Sequence, residues 1–148
     1  MTRIRRILYA SDLSGPSRRA FDTAVALAKT HGAALIVLHV IEPIMPIVPE
    51  QYITSQTWNE IDTGTRTWAD RQLKRHVEQA KQQGVRATAR VVDGLAADQI
   101  IRVARSTRSD LIVVGTHGRK GLQKLLLGSV AQRVVATATC PVVTVRGR

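Results

Sequence analysis

Three glycines and a serine between residues 115 and 130 carry the clearest chemical signal in the chain. The segment reads GTHGRKGLQKLLLGSV. Two residues separate Gly115 from Gly118, and nine more separate Gly118 from the Gly128–Ser129 pair. Before them stands the apolar run LIVV, which patterns as a buried strand; after them comes AQRVVATA, which patterns as a helix. Glycines at a strand-to-helix junction let the backbone approach a ligand closely, and a helix start points unpaired N–H groups at it. That is phosphate-binding chemistry. Three glycines and a Ser or Thr at fixed spacing arise by chance about 4 × 10⁻⁵ times per starting position at average residue usage. A plain glycine loop with an N-capping serine would use the same residues, so the spacing alone leaves both readings open.

Two common phosphate motifs are excluded. A Walker loop requires glycine five residues after its first, and position 120 is Lys120. The dinucleotide fingerprint requires glycine at position 117, which is His117. The segment from Ala10 to Pro16 also lacks the serine- and glycine-rich loop of pyrophosphate-releasing ATP enzymes. Arg119 is the best placed cation for a charge-assisted phosphate contact, whereas Lys120 and Lys124 read equally well as a solvated basic face. His117 reads as a bystander. No Asp or Glu follows Asp110, so the glycine segment brings no carboxylate of its own for a metal or a water.

The elements that must position this segment alternate along the chain. A short apolar strand at 7–10 ends at Ser11 and Asp12. Pro16 opens a helix near its first position, where a missing N–H is harmless, and Gly32 stops it. Residues 33–41 (AALIVLHVI) read as a strand buried on both faces. Pro43, Pro46 and Pro49 then exclude a helix or a central strand and mark a surface loop. A long helix is expected over 56–83, with Trp58, Ile61, Thr65, Trp68, Leu73, Val77 and Ala80 on one inward stripe. The two tryptophans read as core or loop-packing residues rather than a ligand platform. Alternation over 85–91 predicts a half-exposed strand near a sheet edge, and Asp93–Gly94 a turn. A short helix, a strand at 111–114, a helix to about 138 and a strand over Val142–Val145 complete the order.

Such an order implies parallel strands in a doubly wound sheet, here five strands and about four helices in a single Rossmann-like α/β domain spanning 1–148. Ligands on these sheets bind beyond the carboxyl ends of the strands where strand order reverses, so the ends of the first and fourth strands should meet there.

Composition sets outer bounds. Hydrophobic residues are 44% of the 148 but aromatics only 3%, which calls for a core of Val, Ile, Leu and Ala. No apolar stretch is long enough for a transmembrane helix, and MTRIRRILYASD does not read as a secretory signal. Cys140, the single cysteine, excludes an intrachain disulfide and fits a reducing cytoplasm; it reads as a small buried residue. The net charge of +11 is spread along the chain and lacks interleaved aromatics, so specific nucleic-acid binding is not expected.

From YASDLS through LIVLHVIEP to DLIVVGTHGRKGLQKLLLGSVAQRVVATATCPVVTVR, essentially the whole chain resembles the universal stress proteins, in particular their ATP-binding branch with its G-x2-G-x9-G-[ST] pattern. The resemblance implies an adenine-nucleotide α-hydrolase-like fold and a stress-response switch or binding module. On this chain it places Asp12 on the ribose hydroxyls, Ala10 and Ser11 along ribose and adenine, and the Val40 backbone at the adenine edge. Gly115, Thr116, Gly118 and Arg119 would wrap the phosphates, and Gly128, Ser129 and Val130 would donate N–H groups. Mg²⁺ would be held mainly by the phosphates of ATP, with slow hydrolysis at most. A homodimer is implied through Val142–Val145, the last strand pairing with its twin. A slow ATPase that resets the switch, and an arginine-rich regulator of nucleic acid or an acidic partner, are the competing readings. Alone, Asp12 would also serve as a turn or capping aspartate.

Overall fold

The computed structural model describes residues 3–44, 47–116 and 127–147. Strands β1 (Arg6–Ala10), β2 (Ala34–Ile41), β3 (Ala87–Asp93), β4 (Leu111–Gly115) and β5 (Val142–Val145) alternate with helices α1 (Arg18–His31), α2 (Ser55–Gln82), α3 (Ala96–Ser106) and α4 (Ser129–Thr137). All strand pairs are parallel, in the order β3-β2-β1-β4-β5. The sheet is therefore the doubly wound α/β sheet expected, with its reversal between β1 and β4. Ala10 pairs with Val114 there, so the two strands end side by side.

The two faces of β1 build separate cores. Ile7 and Tyr9 point to one layer with Phe21, Val25, Val37, Leu73 and Val113, under α1 and α2. Leu8 points to the other with Leu38, Ile100, Val103, Ile112 and Val134, under α3 and α4. Branched aliphatics fill both, as a sheet covered on two sides demands. Asp110 fastens the sheet's lower end: its Oδ2 accepts from the amides of Arg5 (2.8 Å) and Arg6 (2.9 Å).

Capping is largely as expected. A 3₁₀ turn over Gly15–Ser17 carries Pro16 into α1, and Gly32 ends the helix at φ 62°, a left-handed conformation open to glycine. Gly94 turns the chain at φ 135° and donates to the Ile41 carbonyl.

Two expectations need correction. The third strand starts at Ala87, because the Val85 amide is still bonded to the Ala80 carbonyl at the end of α2. It is nonetheless the edge strand expected, although Ala89, on the same face as the buried Ala87, is exposed. The inward stripe of α2 is also only half right. Ala69, Leu73, Val77 and Ala80 are buried, but Ile61 and Trp68 are each 40% exposed. The first half of α2 extends past the sheet it was expected to cover. Trp58 is half-buried, so the tryptophans are not core residues; Trp58 packs at the loop after β2.

Candidate functional site

At the carboxyl end of β1 the chain makes a tight, internally bonded turn around Asp12. Its Oδ1 accepts from the Ser14 amide (2.9 Å) and the Ser14 hydroxyl (2.5 Å). This is the Asx-turn geometry that an Asp two residues before a Ser favours. Between them Leu13 sits at φ 62°, a left-handed conformation that costs a side-chain-bearing residue about 1–2 kcal/mol. The Leu13 side chain is held by the α1–α2 core, and its amide donates to Ser11 Oγ at 3.0 Å. Strain concentrated where one carboxylate is aimed is a mark of a functional turn.

The other carboxylate oxygen is the informative one. Asp12 Oδ2 is buried and has no hydrogen-bond partner among the described residues. An unpaired buried acceptor costs about 1–3 kcal/mol, more for a charged group, so this oxygen has the capacity to accept a further hydrogen bond.

Behind the turn lies a second tier that sequence reasoning missed. The Ser11 amide donates to the Leu38 carbonyl at 2.8 Å, and His39 Nδ1 lies 2.8 Å from the Ser11 carbonyl. A carbonyl only accepts, so Nδ1 carries the hydrogen and His39 ties β2 to the turn. Tyr9 Oη donates to the Ser17 carbonyl (2.9 Å), and Ser17 Oγ donates to the Ser14 carbonyl (2.7 Å). Burial pushes the Tyr9 phenol above its ordinary value, outweighing its hydrogen bonds, so it stays a neutral donor. The available signal was period-2 alternation, which puts His39 on the same inward face as Val37 at the level of Ser11.

Opposite the turn, across the β1–β4 reversal, α4 begins. Its N-cap is Gly128 rather than Ser129, and no side chain caps it. The Gly128 amide donates to the Thr116 carbonyl at 2.6 Å, so that N–H, expected to face a ligand, is engaged within the protein. Thr116 in turn donates its amide to Val145 (2.9 Å), fixing the end of β4 against β5. The amides of Ser129 and Val130, in the first turn of α4, have no carbonyl four positions back within the helix to donate to. Both are exposed. Ala10 and Val40 are half-buried on the α3–α4 face beside the reversal. Gly115 ends β4, while Gly118 and Arg119, like His117, Lys120 and Lys124, lie outside the described residues. The described part of the site therefore brings together Ala10, Ser11, Asp12, Val40, Gly115, Thr116, Gly128, Ser129 and Val130 at one end of the sheet.

A larger cavity of about 390 Å³ lies elsewhere, lined by Ala34, Leu35, Lys81 and residues 84–88. It opens at the amino ends of β2 and β3, opposite the end where such sheets bind ligands. Among the described residues no cluster of three or more His, Cys, Asp or Glu could hold a metal ion, and no helix is long and apolar enough to cross a membrane.

Comparison with known proteins agrees with this fold. The family model for the universal stress protein family matches residues 3–146. A universal stress protein of Thermus aquaticus is 36% identical over 142 residues, covering 96% of this chain and 98% of the relative. Universal stress protein YxiE of Bacillus subtilis is 34% identical over 145 residues, covering 95% and 98%. Among solved structures, MJ0577 of Methanocaldococcus jannaschii superposes with a TM-score of 0.84 at 26% identity over 99% of each chain. A universal stress protein solved in complex with cAMP gives 0.73 at 24% identity, covering 99% of this chain and all of that one. One from Archaeoglobus fulgidus, solved with dAMP, gives 0.66 at 20% identity, covering 97% and 98%.

Proposed function

The chain belongs to the universal stress protein family, and from that premise we propose that it binds an adenine nucleotide, ATP first, at the β1–β4 reversal. The observation that carries this reading is the buried Asp12 Oδ2, without a hydrogen-bond partner among the described residues, in a strained and well-braced turn. A ribose offers two hydroxyl donors to such an acceptor, while Oδ1 is already saturated by Ser14. The residues present fit the nucleotide. Ala10 and Ser11 would flank the ribose, and the Val40 backbone would meet the adenine edge. The first-turn amides of Ser129 and Val130, backed by the α4 dipole, would receive phosphate oxygens. By the sequence pattern alone, Gly118 and Arg119 would contribute further phosphate contacts. That two fold relatives were solved with cAMP and dAMP is consistent with an adenosine-sized site in this architecture.

Binding, rather than rapid turnover, is the activity this site supports. Fast phosphoryl transfer needs a positioned nucleophile, a fixed metal and charge stabilisation at the transferring group. The sequence supplies no carboxylate after Asp110, so Mg²⁺ would be held mainly by the phosphates. Slow hydrolysis at most is the expected rate, and the bound state is the signal a switch would read. β5 closes one edge of the sheet with Val142–Val145, and a second copy pairing along it would cover that edge and form a homodimer. Native mass spectrometry of the purified protein tests the proposal: a mass increment of ATP or another adenine nucleotide supports it. No increment, together with no heat on titrating ATP, refutes it.

A further inference from the structure

The cations of this chain are absent from one region. Between Lys29 and Arg71 there is a single Lys or Arg, Arg66, although the chain holds 22. Over residues 42–68 the sequence carries four carboxylates (Glu42, Glu50, Glu60 and Asp62) against that one cation, and Glu42 and Asp62 line one cleft. Arg66 is paired with Asp93, so even it is neutralised. A protein of net charge +11 thus carries a local negative patch, and neither Glu42 nor Asp62 is in an ion pair among the described residues.

The same region exposes its apolar side chains. Fourteen residues of α2, 55–68, precede its first buried residue, which at 1.5 Å per residue is about 21 Å of helix with no buried side chain. Trp58, Ile61 and Thr65 share one face of it and line a cleft of about 150 Å³ with Ile44, Glu42 and Asp62. Ile44 is 55% exposed, and Ile47 and Val48 beside it are exposed as well. A cleft of that volume holds one aliphatic side chain, and a wall of carboxylates around it selects the charge of whatever carries that side chain.

From this combination we propose that the cleft and this face of α2 form a docking surface for a basic amphipathic helix of another protein. An aliphatic anchor would enter between Trp58, Ile61 and Ile44, and Lys or Arg on the flanks would pair with Glu42 and Asp62. Charge complementarity argues for this occupant: the remainder of the chain, with 21 cations against seven carboxylates, disfavours basic segments, whereas Glu42 and Asp62 at this cleft attract them. Anionic surfaces, including nucleic acid and acidic lipid, are disfavoured by the same charges. The surface is separate from the nucleotide reading and does not depend on it.

The test uses a fluorescein-labelled 14-residue Leu/Lys peptide with helical periodicity, against a scrambled Leu/Lys peptide and a Leu/Glu peptide. Anisotropy at low salt should show saturable binding of the amphipathic basic peptide at least tenfold tighter than either control. The two tryptophans of the chain lie on this helix, so their emission should shift to the blue on binding. Glu42→Gln with Asp62→Asn should weaken binding at least tenfold, and Ile61→Lys should abolish it, with circular dichroism unchanged. Equal binding of the scrambled peptide or of the Leu/Glu peptide would overturn the proposal. So would binding unaffected by these substitutions, or equal competition by spermine, which marks a small-cation site. Concentration-dependent self-association lost in Glu42→Gln/Asp62→Asn would also overturn it, since the occupant would then be a second copy.

Discussion

Replacing Asp12 by Asn changes the site by one atom and one charge, which makes it the sharpest perturbation available. The Asn carbonyl can still accept from the Ser14 amide and hydroxyl, the two bonds that hold the turn. Its NH₂ would stand where Oδ2 now lies buried without a partner among the described residues. The fold loses no existing hydrogen bond, so stability should change by no more than about 1 kcal/mol. The nucleotide loses a charged acceptor, and a hydrogen bond to a charged group contributes about 1.5–3 kcal/mol. At 1.4 kcal/mol per tenfold, ATP affinity should fall about 10- to 150-fold. Isothermal titration with ATP and with 2′-deoxy-ATP separates the cause from a general disturbance. The wild-type protein should prefer ATP, and Asp12→Asn should lose most of that preference. An Asp12→Asn protein that binds ATP within twofold of wild type, with its preference for the ribose intact, would refute the assignment of Asp12.

Ser129→Pro removes one first-turn amide where proline is tolerated, because Gly128 already has the extended backbone (φ −59°, ψ 156°) that a residue before proline adopts. ATP affinity should drop about tenfold for one charge-assisted bond while Ser129→Ala, which keeps the amide, loses less; equal losses would show that the amide is not used. Tyr9→Phe removes the buried bond to the Ser17 carbonyl and should cost about 1–2 kcal/mol, read as a lower urea midpoint. The Tyr9 phenol is raised above 10.0 in the fold, so its neutral form stabilises at lower pH and that contribution is lost as pH climbs through the raised value. The alkaline limb of stability should therefore flatten in Tyr9→Phe, and an unchanged limb would contradict the burial argument. Cys140 is half-buried, and burial with the nearby Asp110 pushes its thiol above 9.0. Its alkylation should be slower at pH 8 than in the urea-unfolded chain and rise beyond pH 9; rates that match in both states would contradict this.

Much of the scaffold was legible because its signals are local. Pro16 and Gly32 bracket α1, and the run at β2 is apolar enough to demand burial on both faces. The reversal between β1 and β4 followed from the alternation of strands and helices, and it placed Asp12 and Gly115 at the same end of the sheet. Periodicity failed where it could not know the extent of the sheet: the stripe from Trp58 to Trp68 continues that of Leu73 to Ala80, yet only the second has a sheet beneath it. The bracing of Asp12 was not legible either, since His39, Tyr9 and Ser17 reach it through contacts set by tertiary structure. Only Ser14 could have been read, from its two-residue spacing to Asp12. The engagement of the Gly128 amide by Thr116 likewise depends on how the chain returns to β4, which residue spacing does not encode.

The central claim is that an adenine nucleotide sits at the β1–β4 reversal, and amide chemical-shift mapping of a ¹⁵N-labelled sample with Mg·ATP tests it most directly. The largest shifts should fall on Ser11, Asp12, Val40, Gly115, Thr116, Ser129 and Val130, saturating together with one dissociation constant. The amides of residues 84–88, at the opposite end of the sheet, should stay in place. No shift at millimolar ATP, or shifts centred on that opposite cavity, would contradict the account.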